Sequence, residues 1–155
     1  MEDWKVEERI MQDLVRILRE GEHSLVVCDK EGRISTYDGM GVSDLYRLLH
    51  ESPQTLEEAF IADKIVGKGA AALIVLGKVR EVYAEFTTQD AQAMLDQNHV
   101  RLSYGRMVPH IKGRTGTGFC PIEERCRDSL TPQACLVKIT EFMEEMKAKK
   151  QQNKQ

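Results

Sequence analysis

Long hydrophobic runs are missing from this sequence of 155 residues. The longest apolar stretch, Ala70 to Gly77, falls well short of the roughly 18 residues of a membrane span, so no membrane partner is expected. The N-terminal MEDWKVEERI is charged where a secretory signal would be apolar, which predicts a cytoplasmic protein. An excess of one charge is also missing. With 22 Lys and Arg against 25 Asp and Glu, the net charge of -3 gives no general attraction to phosphate backbones and argues against nucleic acid. The four cysteines (Cys28, Cys120, Cys126 and Cys135) include no close C-x2-C pair, and the four histidines are scattered, so structural zinc is disfavoured. Without an export signal the cysteines are expected as reduced thiols. No G-x-S-x-G elbow occurs. Around Gly67-Lys68-Gly69 a phosphate-binding P-loop fails, because Ala62 stands where its first Gly belongs and Gly69 where its Ser or Thr belongs. No cofactor is called for.

What is present reads as one soluble α/β domain over residues 1–150, followed by a frayed, solvated tail at 151–155. Apolar residues from Trp4 to Leu18 recur at helical spacing until Gly21. SLVVCD and RISTYD flank KEG as a β-hairpin. Ser43 is placed to cap a short helix that Ser52-Pro53 stops, and Asp63 to cap a helix running to about Leu76. KVREVYAEF reads as a strand, Thr88 caps the next helix, and VRLSYGRMV is another strand. Helix, strand, helix, strand implies parallel crossovers, hence a sheet with helices packed on it. Thr131-Pro132 opens a last helix with Leu136, Ile139, Phe142, Met143 and Met146 on its apolar side.

Three groups of residues carry candidate chemistry. Lys64 and Lys68, one turn apart near a helix N-terminus, suit an anionic ligand as well as they suit solvent. The small residues Gly67, Gly69, Ala70 and Ala71 are read as letting that helix approach the sheet closely, at about 1 kcal/mol of propensity for each Gly. In RTGTGFCPIEERC, Arg114, Thr115 and Thr117 form a hydroxyl-bearing Gly loop able to wrap a ligand. Cys120, before Pro121 at a helix start, is either a reactive thiol aided by Arg114 or Arg125, or a small buried apolar residue. Glu123 is either a general base or a favourable charge at its helix start.

Taken together, ADKIVGKGAAALIVLGKVREVYAE, the Tyr104-Gly105 pair and RTGTGFCPIE resemble an uncharacterised prokaryotic domain family with a cytidine deaminase-like fold, over roughly Leu18 to Glu123. The resemblance implies a three-layer cytidine deaminase-like sheet, with an N-terminal hairpin and parallel crossover strands flanked by helices. It implies a pocket at the strand C-terminal ends, near Asp63, Lys64, Lys68 and Thr88, with the RTGTGFCPIE loop returning across that edge. True deaminases carry zinc ligands and a proton-shuttling Glu at the two crossover-helix starts. Here those places read Ala62-Asp63-Lys64 and Thr87-Thr88-Gln89-Asp90-Ala91, so the zinc chemistry is not expected.

The leading functional expectation is a domain binding a small polar or anionic, nucleotide-like ligand through Lys64, Lys68, Thr88, Arg114, Thr115 and Thr117. The alternative is an enzyme or sulfur carrier using Cys120, with Glu123 or Asp63 managing protons. A third reading is an interaction protein, a homodimer through the terminal helices.

Overall fold

The computed structural model describes residues 3–113 and 120–153. The first helix, α1 (Asp3–Glu20), buries Met11, Leu14 and Leu18 along one stripe, as their spacing requires, while Trp4 at its start remains exposed. It ends where the Gly21 amide donates to the Ile17 carbonyl. The hairpin pairs β1 (Leu25–Cys28) with β2 (Ile34–Tyr37). Gly32 at φ 85° makes its turn, and Asp29 Oδ1 accepts the Glu31 and Arg33 amides.

Next comes α2 (Ser43–Glu51), preceded by Val42 as N-cap with no side-chain cap; Ser43 is its first residue rather than its cap. Pro53 stops α2 and itself opens the short α3 (Pro53–Leu56). The strand β3 (Phe60–Val66) follows, then α4 (Lys68–Leu76), β4 (Glu81–Thr87), α5 (Gln89–Gln97) and β5 (Arg101–Met107). The chain closes with α6 (Pro121–Cys126) and α7 (Pro132–Asn153). That last helix runs through Gln151 to Asn153, beyond the point at which a tail is expected to fray.

The five strands lie in the order β2-β1-β3-β4-β5. β1 is antiparallel to both β2 and β3, whereas β3, β4 and β5 run parallel, with Ala62 opposite Tyr83 and Tyr83 opposite Ser103. On one face α1 covers Val26, Cys28, Phe60, Ala62 and Tyr83. On the other, α2, α4 and α5 pack with the larger core, and α6 and α7 cover α4. α4 is thus surrounded by protein, which is why GAAALI within it is buried throughout.

One expected boundary is wrong. Asp63 does not start a helix; it sits within β3, between Leu25 of β1 and Ala84 of β4. The β-branched Ile61, Ile65 and Val66 suit a strand, and the helix waits for Gly67, whose extended backbone is the N-cap. Lys64 and Lys68 therefore lie on different elements and are not one helical turn apart.

Candidate functional site

Gly67 is the only residue between β3 and α4, and Thr88 the only one between β4 and α5. Both helices consequently begin at the edge where the parallel strands end. Helix starts leave amides without intrahelical acceptors. At α4 these are met by a distant side chain: Glu123 Oε1 accepts the Lys68 amide at 2.8 Å and Oε2 the Gly69 amide at 3.0 Å. Glu123 lies in the first turn of α6, whose start is set by Pro121 after Cys120 as N-cap. Its carboxylate stands in the first turn of α6, as the helix-start reading has it, and its two oxygens also accept the amides that open the neighbouring helix.

This contact also corrects the reading of the glycines. A Cβ on Gly67 would lie 2.4 Å from the Glu123 carboxyl carbon, and one on Gly69 2.5 Å from Ile122 Cγ2. The glycines make room for α6, not for the sheet. Lys68 Nζ in turn donates to the Arg127 carbonyl at 2.9 Å, so backbone and side chain of one residue hold both ends of α6.

Beside this clamp is a cavity of about 220 Å³ lined by Lys68, Thr88, Asp90, His110, Glu123 and Arg127, among others. It adjoins a recess of about 470 Å³ that shares Thr88, Asp90 and Pro109 with it and reaches Met107. The walls are fixed. Thr88 Oγ1 caps α5 by accepting the Ala91 amide at 3.2 Å, the buried Thr87 hydroxyl donates to the Val66 carbonyl at 2.8 Å, and the Val108 amide donates to Thr87 at 2.8 Å. The Cys120 amide donates to the Ile111 carbonyl at 3.1 Å, which ties the residue before α6 to the cleft-lining Ile111. Arg114, Thr115 and Thr117 lie outside the described residues.

The expected site residues are only partly brought together. Lys68, Thr88 and Glu123 share the cleft; Asp63, Lys64 and Cys120 do not line it. Lys64 is exposed on β3. Cys120 is half-buried, and Arg125, expected to aid it, instead forms a two-point ion pair with Glu145 of α7 at 2.6 and 3.1 Å. Asp63 is buried, and burial pushes its carboxyl up to about 8; the Ile65 and Lys64 amides oppose that rise, and Asp44 adds to it. Asp90, His110 and Arg127 join Lys68, Thr88 and Glu123 in the cleft without being among the ligand groups expected from the sequence. His110 lies just beyond a predicted strand end, which is the signal that was available; for Arg127 the sequence held none.

Zinc of the deaminase kind does not fit these residues. The crossover helices open with Gly67-Lys68-Gly69 and Thr88-Gln89-Asp90, and among the described residues no group of three or more His, Cys, Asp or Glu side chains is placed to hold a metal. A larger groove, about 700 Å³, runs between α1 and β5 past Glu7, Arg19, Glu81 and Arg101. Its charges largely satisfy one another: Arg101 pairs with Glu81 at 3.2 Å and Arg19 with Glu85 at 2.8 Å. Size alone therefore does not make it the better candidate.

The model of the TM1506 domain of unknown function, DUF1893, matches residues 13–143 of the chain. The chain belongs to the DUF1893 family. The match takes in α6 and most of α7, so the family domain extends beyond Glu123, where the resemblance in the sequence stopped. A crystal structure of a DUF1893 family protein (TM1506) from Thermotoga maritima superposes with a TM-score of 0.77 at 21% identity, covering 86% of this chain and 89% of that one. At that identity the likeness establishes the shared fold. No curated protein matches the chain. Among the described residues no helix is long and apolar enough to cross a membrane.

Proposed function

We propose that this DUF1893 domain binds a small polar or anionic molecule in the cleft where α4 and α5 begin. The observation that carries the reading is the lining itself: Lys68, His110 and Arg127 face the same 220 Å³ space as Asp90, Glu123 and Thr88, at the edge where open α/β sheets commonly receive ligands. The α4 amides are already occupied by Glu123, so an anionic group on the ligand meets the Lys68 and Arg127 side chains instead of the bare helix start. The acids opposite favour a ligand that also carries hydroxyl or amino donors. A phosphorylated sugar or nucleotide has both features.

The finer kinship to cytidine deaminase-like folds belongs to the same reading. It is supported by the order hairpin, helix, strand, helix, strand and by the position of the cleft. It carries the pocket over without the hydrolytic chemistry.

The test is a thermal-shift screen of wild type and Lys68→Ala against nucleotides, nucleosides and sugar phosphates. A ligand that binds only the native state raises its melting temperature. A stabilising compound whose effect is lost in the variant is expected. Equal stabilisation of both proteins would move the site elsewhere, and no stabilisation by any of these classes would remove the reading.

A further inference from the structure

The two parts of the cleft differ in charge. Its basic side chains, Lys68, His110 and Arg127, all stand on the smaller recess, and among the described residues none lines the larger. The larger recess has an apolar side instead, running from Met107 through Val108 to Pro109, with the Gln89 amide across from it at the start of α5. Thr88 and Asp90 line both recesses and mark the join.

The polar groups at the join are complementary. Thr88 is buried, and its Oγ1 accepts the Ala91 amide, which leaves the hydroxyl proton to donate. Asp90 stands in the first turn of α5, and its carboxylate accepts no hydrogen bond and enters no ion pair among the described residues. Glu123, in contrast, is already held by the Lys68 and Gly69 amides. The acid free to meet a ligand at the join is therefore Asp90.

Building on the reading of the cleft as a ligand site, we propose that its ligand is a ribonucleoside monophosphate lying across the join. Its phosphate faces Lys68 and Arg127, its ribose Thr88 and Asp90, and its base the larger recess. The order of groups along the wall is the order of groups along that molecule. A phosphate monoester carries roughly two negative charges at neutral pH, and Lys68 and Arg127 supply two permanent positive ones. A longer phosphate chain brings further charge against Glu123 and Glu124, which line the same recess, so these acids select against it. An ionised carboxylate accepts from both hydroxyls of a vicinal diol, and that suits Asp90 to ribose. A base is apolar on its faces and polar at its edge, as is the wall that sets Met107, Val108 and Pro109 against Gln89.

The experiment is isothermal titration calorimetry of the full chain with the common ribonucleoside 5′-monophosphates, their 2′-deoxy counterparts, the parent nucleosides, the triphosphates and ribose 5-phosphate. A ribonucleoside monophosphate is expected to bind about tenfold more tightly than its deoxy counterpart, the lower end of what a hydrogen bond to a charged group contributes. It should exceed its nucleoside and ribose 5-phosphate by at least as much. Asp90→Ala should bring the ribo and deoxy forms together, and Arg127→Ala should bring the nucleotide down towards its nucleoside. Equal binding of ribo and deoxy forms by the wild type, which needs no variant to fold, would overturn the proposal. So would tighter binding of a triphosphate, ribose 5-phosphate bound as well as any nucleotide, or a ribose preference that survives Asp90→Ala; each of these leaves a binding site in place. Absence of binding by every compound, the sugar phosphate included, would remove the cleft reading and the proposal together.

Discussion

Glu123 and Lys68 are 55 residues apart in the chain, and the carboxylate of the first accepts the amide of the second at 2.8 Å. This contact docks α6 on the start of α4 and forms one wall of the cleft. Replacing Glu123 by Ala strands two amides, and the loss of such a cap costs about 1–2 kcal/mol. Glu123→Gln keeps one acceptor but removes the charge facing the helix start, so a smaller loss is expected. Urea denaturation of the three proteins measures both.

Gly69→Ala separates the two explanations of the glycines. Helix propensity alone would make the substitution stabilising by up to about 1 kcal/mol. The new Cβ, 2.5 Å from Ile122 Cγ2, predicts a loss of about 1–3 kcal/mol instead. Combining it with Ile122→Ala should recover part of that loss, because the atom in the way is gone. A double-mutant cycle on unfolding free energies reads the coupling.

Gly105 supports a similar expectation on the other face of the sheet. Its missing Cβ makes room for Glu85 Oε2 at 2.6 Å and Tyr83 Oη at 2.9 Å. Those atoms meet Arg19, whose Nε reaches Glu85 at 2.8 Å and whose second guanidinium nitrogen reaches Tyr83 at 2.8 Å. Gly105→Ala is expected to destabilise by about 1–3 kcal/mol, since the Glu85 backbone at 3.0 Å leaves little room to yield. Thermal unfolding compared with Tyr104→Ala, at the exposed neighbouring residue, checks it.

Asp63 predicts a pH dependence. Its carboxyl is raised from 3.8 to about 8 on folding, so between those values the folded state holds a proton that the unfolded chain has lost. The stability associated with this group is full below pH 3.8, falls as pH rises, and is gone above about 8. The slope from one such group is at most about 1.4 kcal/mol per pH unit. Asp63→Asn, which cannot ionise, should flatten the stability profile over that range and be relatively more stable at its alkaline end. An unchanged slope in the variant would contradict the assignment.

Local signals in the sequence carried the hairpin, the Thr88 cap and the Pro132 helix start, because each rests on contacts between near neighbours, while the parallel unit followed from the alternation of helix and strand. Asp63 misled because an acid before a small-residue run resembles a cap, while the evidence against it lies in its pairing with Leu25 and Ala84. The function of Gly67 and Gly69 was equally out of reach. It depends on Glu123 and Ile122, and no spacing rule links residues that far apart. For the cleft, Lys68 and Thr88 stood out as helix-start residues, whereas Arg127 follows only from how α6 docks.

The most direct measurement of the cleft reading is a set of backbone amide NMR spectra of the labelled protein, titrated with pools of nucleotides and sugar phosphates. Binding in the cleft predicts shifts centred on Lys68, Gly69, Thr88 to Ala91 and His110. Shifts centred instead on the groove between α1 and β5, around Arg19 and Arg101, or no shifts with any pool, would contradict it.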